Sequence, residues 1–206
     1  SINEQKKMER HPRPKLSGFT GKYKSGVKGL HHAAYRCRNT EETRKFYEDF
    51  IGLKLTEALH LKLDDGSHVL HSFFQLDDGS ALAFFDVPSR PFDFKEQSDF
   101  DVHIAFEVDM ETLEMYMKKA KEHNVEFRGP SDHGFIYSIY FRDPNGYVFE
   151  LTAQDTSKGN HFENSDSEAH KVLAGFMAEA HGEGDAKAII HEDTWQKRAE
   201  EKQSKL

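Results

Sequence analysis

The sequence predicts an α+β protein made of two paired βαβββ modules that form a curled mixed sheet, with a helical C-terminal extension. Three observations predict it. A histidine-headed strand pattern occurs twice, as Leu30-His31-His32-Ala33-Ala34-Tyr35 and as Asp101-Val102-His103-Ile104-Ala105-Phe106. After each copy the apolar period changes from two to about 3.6, the signature of a strand followed by a helix. Short apolar runs bounded by Asp/Asn-Gly turns then follow, and a period of about 70 residues in two copies reads as a duplication, since solenoids need more repeats.

In the first module residues 29–37 alternate as a half-buried strand. Asn39 supplies an N-cap with Glu42 three residues on, Phe46, Tyr47 and Phe50 fall at helical spacing, and Gly52 stops the helix. Strands are expected at 53–60, 67–76 and 80–87, joined by Asp64-Asp65-Gly66 and Asp77-Asp78-Gly79. In the second module residues 101–108 form a strand, and Asp109 caps a helix that turns Leu113, Tyr116, Met117 and Ala120 inward and ends at Asn124. Strands at 125–128, 135–142 and 147–153 complete it, the last two joined by Asp143-Pro144-Asn145-Gly146. The expected divisions are a basic arm at 1–28, modules at 29–88 and 101–153, a Pro-containing linker at 89–100, and a polar, then helical, extension at 154–206.

Composition bounds the function. The chain has 206 residues, enough to bury a sizeable core, and its 17 Phe make that core aromatic. The net charge of -8 is unevenly spread: residues 1–28 carry eight Lys/Arg against two Glu, a net of +6, which leaves -14 for the rest. With no aromatic platform or nucleic-acid motif beside it, the arm reads as solvated or wrapped on a subunit, and no nucleic-acid partner is expected. No apolar run reaches the roughly 18 residues of a membrane span, and the N-terminal segment lacks a secretory apolar centre. The single cysteine, Cys37, allows no internal disulfide, so the expected compartment is reducing and cytoplasmic.

Alternation decides which side chains meet. If His32 faces the concave side, so do Ala34 and Arg36, and the same rule turns His103, Ala105, Glu107, Glu150 and Thr152 inward. Aligning the modules on Gly79 and Gly146 makes His71 equivalent to Ser138, Phe73 to Tyr140, and Ala83 to Glu150. One inward histidine is ordinarily a packed residue. The same position in both repeats, with a carboxylate beside it, reads as a metal site: His32, His103 and Glu150, the two-His-one-carboxylate set of non-haem Fe(II) oxygenases. Mn, Zn, Ni or Co suit the same donors. Arg36 and Glu107 share one position in the two modules and are expected to pair across the pseudo-twofold axis.

Residues 29–153 resemble the vicinal oxygen chelate superfamily of glyoxalases, bleomycin-resistance proteins and extradiol dioxygenases. The resemblance is carried by Gly29-Leu30-His31-His32, Phe46-Tyr47 with Gly52-Leu53, Val102-His103-Ile104-Ala105-Phe106, and Tyr140-Phe141-Arg142-Asp143-Pro144-Asn145-Gly146 with Phe149-Glu150. It implies paired modules curled around a divalent metal that chelates two substrate oxygens, with His32, His103 and Glu150 matching the family's ligands. Ala83 stands where glyoxalase I and methylmalonyl-CoA epimerase carry a further carboxylate, which leaves more open positions and resembles the extradiol dioxygenases and also the fosfomycin-type transferases. Tyr140 matches a tyrosine that hydrogen-bonds substrate in those enzymes, and His133 or His71 could serve as the acid/base imidazole.

The resulting expectation is an Fe(II) extradiol-type dioxygenase acting on a catechol-like aromatic small molecule, as a homodimer with no membrane partner. The alternatives are a glyoxalase-like lyase or isomerase or a thiol transferase that uses the metal as a Lewis acid, and a metal-free binding protein of the bleomycin-resistance type. Whether one chain or two build the site stays open at this level.

Overall fold

The computed structural model describes residues 25–96, 98–158 and 166–181. Among the described residues, 25–31 and those from 32 onward fall in two separate units. All the helices and strands described lie in the second, while residues 25–31 are irregular. The rest of the basic arm, the end of the C-terminal extension and residues 159–165 of its polar linker lie outside the described residues.

The first module consists of β1 (His32–Cys37), α1 (Thr40–Arg44), β2 (Lys54–Lys62), β3 (His68–Gln75) and β4 (Ala81–Asp86). Asn39 caps α1, its side chain accepting from the Glu42 backbone N–H at 3.0 Å. The Glu42 carboxylate does not close a capping box; it accepts from the Arg38 guanidinium. The helix continues as a π-helical segment, Lys45–Phe50, and Gly52, at φ +92°, lets the chain leave it. In the two hairpins Asp65 and Asp78 accept from the backbone N–H of Ser67 and Ser80 at 2.9 and 2.8 Å, which holds each turn shut.

The second module repeats the plan with β5 (His103–Val108), α2 (Met110–Glu122), β6 (Phe127–Asp132), β7 (Ile136–Arg142) and β8 (Val148–Gln154). Asp109 caps α2 through the Thr112 N–H at 2.7 Å, and Asn124 ends it at φ +54°. Strand β6 runs four residues past its expected end, continuing through a register shift between Arg128 and Ser131. α3 (Asp166–His181) lies in the extension.

Each module forms one four-stranded mixed sheet, ordered β1-β4-β3-β2 and β5-β8-β7-β6, with β1/β4 and β5/β8 parallel. The registers superpose. Phe73 faces Ala83 as Tyr140 faces Glu150, Ala34 faces Ala83 as Ala105 faces Glu150, and His71 faces Phe85 as Ser138 faces Thr152. The expected alignment of the repeats therefore holds residue for residue.

The core decides how the sheets are used. It draws Phe74, Leu82 and Phe84 from the first sheet and Ile139, Phe141, Phe149 and Leu151 from the second, with Tyr47, Leu113 and Tyr116 from the helices. These alternate along their strands with Phe73, Ala83, Tyr140 and Glu150, so the sheets share their helix-covered faces and turn their histidine faces outward. Phe46 and Tyr47 meet Phe149 at ring distances of 6.1 and 5.7 Å, and Phe50 meets Phe141 at 5.5 Å. The Tyr116 hydroxyl donates to the Ile51 carbonyl in return.

A buried polar latch fixes this packing. Asp143 accepts from the Tyr47 hydroxyl at 2.9 Å, from the Asn145 side chain at 3.1 Å, and from the backbone N–H groups of Asn145 and Tyr147 at 2.9 Å each. Asn145 also donates to Thr43 and accepts from the Arg38 N–H. The Asp-Pro-Asn-Gly turn thus grips the first module's helix as well as joining β7 to β8. Gly146, at φ +97°, passes so close to Lys95 that a Cβ would lie 2.5 Å from its backbone nitrogen.

Candidate functional site

The outward face of the second sheet lines a cavity of about 820 Å³. His103, from the start of β5, and Glu150, from the middle of β8, meet at its wall, with His103 Nε2 3.2 Å from Glu150 Oε2. His103 Nδ1 lies 2.6 Å from the Asp99 carbonyl, and because a carbonyl only accepts, the ring proton is on Nδ1. Nε2 therefore presents its lone pair to a carboxylate oxygen, and the two repel unless a proton or a cation lies between them. Transition-metal donors at about 2.0 to 2.2 Å from an ion and at right angles to each other stand about 3 Å apart. The pair fits such an ion, and an imidazole oriented by a backbone carbonyl on its other nitrogen is the usual arrangement of a metal-bound histidine.

Tyr140 stands beside Glu150 on the neighbouring strand. Its hydroxyl is 2.8 Å from His133 Nε2, and its pKa is pushed up to about 12, by burial first and by the Glu150 charge second. The phenol is therefore a proton donor at neutral pH. The Arg128 guanidinium lies 4.3 Å from the centre of the Tyr140 ring and pairs with Asp99. Phe100, Phe135 and Ile136 supply apolar wall.

His32 and His71 lie elsewhere, on the outward face of the first sheet. His32 packs edge-on against His71 and Phe73, at ring distances of 6.3 and 5.6 Å. His71 is buried, stacks on Phe85 at 3.7 Å, and donates from Nδ1 to the Phe84 carbonyl. Within one chain His103, Glu150, Tyr140 and His133 come together and His32 and His71 do not join them. Among the described residues no three His, Cys, Asp or Glu side chains surround one point. Ala83 is fully buried beneath the His71 face.

The expected Arg36–Glu107 pair does not form within the chain. Arg36 donates to the Val87 and Arg90 carbonyls at 3.4 Å each, while Glu107 lines the other module's cavity, because the two faces point away from each other. Cys37 is buried with its thiol pKa pushed up to about 11, by burial first and by the nearby Asp86 charge second, which leaves it protonated and unreactive. Reasoning from the sequence missed Arg128 and Asp99. Their only signal was a lone Arg at the end of an apolar run and a linker Asp four residues before His103.

The model of the Glyoxalase/Bleomycin resistance protein/Dioxygenase superfamily matches residues 29–151. A Bacillus subtilis (strain 168) protein named "Putative ring-cleaving dioxygenase MhqA" is 25% identical over 138 residues, or 65% of this chain. The match spans 42% of that protein, about two fifths of its length. Among solved structures, the fosfomycin resistance protein FosX of Listeria monocytogenes aligns with a TM-score of 0.51 at 23% identity, covering 64% of this chain and 98% of FosX. A FosX variant crystallised with Mn(II) and 1S,2S-dihydroxypropylphosphonic acid aligns at 0.50 and 22% identity, covering 64% and 97%. These two likenesses bear on the fold. No described helix is long and apolar enough to cross a membrane.

Proposed function

Because the chain belongs to the Glyoxalase/Bleomycin resistance protein/Dioxygenase superfamily, we propose that it is a metal-dependent dioxygenase that cleaves a catechol-like aromatic ring, in a site completed by a second copy of the chain. The observation that carries this reading is one cavity wall holding a cation-seeking His103–Glu150 pair next to a hydrogen-bonded Tyr140–His133 dyad. The similarity to MhqA, a protein named for ring cleavage, favours a dioxygenase over the Lewis-acid alternatives.

His103 and Glu150 supply two donors, and the third is the partner's His32. The two outward faces complement one another. One holds two ligands and Glu107; the other holds a histidine and Arg36 at the equivalent registers, with Leu59 and Leu61 left exposed. A two-fold axis that lays one face on the other's counterpart builds two equal sites and covers the exposed leucines. It also offers Glu107 the partner's Arg36 and brings the partner's His71 beside the metal ligands.

A divalent ion held by His103, Glu150 and the partner's His32, Fe(II) in this reading, would supply Lewis acidity and redox activity for ring cleavage. Around it the chain handles protons. His133 Nε2 accepts a proton from the diol by way of Tyr140, and the phenol stays protonated to donate to a substrate oxygen as negative charge builds there. Phe135 and Ile136, half-buried in the cavity wall, flank the ring on its apolar side.

The test is elemental analysis of protein purified without oxygen, followed by O2 uptake on a catechol panel. Retained iron and catechol-dependent uptake are expected; Fe(II)-loaded protein that consumes no O2 with any catechol overturns the reading. Tyr140→Phe is expected to keep the metal and lose about 10- to 1,000-fold in kcat/KM, since it removes one donor from developing charge and no ligand. Unchanged kinetics would remove Tyr140 from the machinery.

A further inference from the structure

Among the described residues that line the cavity, Arg128 is the one permanent cation, set against the carboxylates of Asp99, Glu107 and Glu150. Its guanidinium lies 4.3 Å from the centre of the Tyr140 ring, a cation–π contact. One amino group, Nη2, is paired with Asp99, and no other hydrogen bond of this guanidinium forms among the described residues. The Arg128 side chain is 63% exposed and that of Asp99 26%. Solvent or a ligand can therefore reach the pair, and an exposed ion pair of this kind contributes little to stability.

We propose that Arg128 recognises a carboxylate on the aromatic ligand and that Asp99 is its resident counter-ion, displaced when the ligand enters. This rests on the reading of the cavity as the catalytic site and deepens it by naming the substrate class: an aromatic diol that carries an acidic group. The guanidinium fork matches a carboxylate in two parallel hydrogen bonds, whereas Asp99 takes only Nη2, so an incoming carboxylate gains more than it displaces. Arg128 covers the face of the Tyr140 ring while the Tyr140 hydroxyl points to the other end of the site, toward His133. Asp99 joins the two ends, its carboxylate on Arg128 and its carbonyl on the Nδ1 of His103. The exchange breaks no covalent bond and is charge-neutral at Arg128. Phe100, Phe135 and Ile136 offer the ring its apolar contact.

The experiment is calorimetric titration of the metal-loaded protein with two matched pairs: 3,4-dihydroxybenzoate against catechol, and 3-hydroxybenzoate against phenol. The acid of each pair is expected to bind about 10- to 100-fold tighter, as a charge-assisted contact allows, and the preference should shrink as salt is raised. Arg128→Gln should abolish the preference for the acid within each pair. Asp99→Asn should raise the ratio of acid to neutral affinity within each pair. Catechol binding with no preference for its acid overturns the proposal and leaves the dioxygenase reading standing. An Arg128-dependent preference in both pairs, with no gain from the diol, supports the anion site and counts against the diol reading. An Asp99→Asn protein that loses acid affinity as fully as Arg128→Gln overturns the counter-ion role.

Discussion

A heterodimer of one His32→Ala chain and one His103→Ala chain, isolated by two different tags, is expected to hold one metal ion where each mutant homodimer holds none. In a shared two-fold dimer both lesions fall in the same site of the heterodimer, and the other site draws an intact His32 from one chain and an intact His103 with Glu150 from the other. Losing a ligand should cost each homodimer more than about 100-fold in metal affinity, since losing a group that only orients a ligand costs about 10- to 100-fold. Metal content by elemental analysis and O2 uptake per dimer give the readout, and half the wild-type value is expected for both. A heterodimer as empty as its parents would mean that each chain builds its own site. Metal retention by the His32→Ala homodimer would mean instead that His32 is no ligand.

Asp143→Ala is expected to destabilise the protein by about 3 to 5 kcal/mol in urea unfolding. The carboxylate accepts from two side chains and two backbone N–H groups in a fully buried place. Each donor left unpaired costs about 1 to 3 kcal/mol, and partial rearrangement keeps the sum below the simple total. A loss under about 1 kcal/mol would mean that water enters and replaces the carboxylate. Burial raises the Asp143 pKa above the usual carboxylate value, an effect its hydrogen bonds oppose without cancelling. A carboxyl group with a raised folded-state pKa binds protons more tightly when folded, so its contribution to stability is full below the unfolded pKa and is lost as pH rises through the folded one. The stability gap between wild type and Asp143→Asn should therefore be widest in acid and narrow toward neutral pH. A gap that widens with pH would show the carboxylate to be favoured in its charged form. The latch also holds the module packing, so Asp143→Ala should loosen the arrangement that turns His32 and Glu150 outward.

What was legible in the sequence was everything that depends on period and local chemistry. Alternation identified which residues share a face, the two Gly-turns fixed the register, and the match of Ala83 to Glu150 and of Phe73 to Tyr140 followed without any tertiary information. The capping residues Asn39 and Asp109 and the stops at Gly52 and Asn124 are likewise local, since each satisfies or ends a helix with its own side chain or backbone. Within the candidate site, His103, Glu150 and Tyr140 were legible because one repeat holds them on neighbouring strands, and His133 because it lies in the loop that joins β6 to β7.

Tertiary structure alone decided what each face meets. Both faces of each sheet carry apolar or aromatic side chains, so the pattern does not say which is buried against the other module. The choice is made by Phe46, Tyr47 and Phe50 packing on Phe141 and Phe149, and by Tyr47 reaching Asp143, a partner 96 positions away in the chain. That packing turns His32 and Arg36 away from His103, Glu150 and Glu107. It also brings the linker's Asp99 beside Arg128 and His103, a conjunction of three segments that no local rule encodes. Periodicity is a property of neighbours along the chain, whereas the pairing of faces depends on shape and hydrogen bonding between surfaces that the chain brings together only once it is folded.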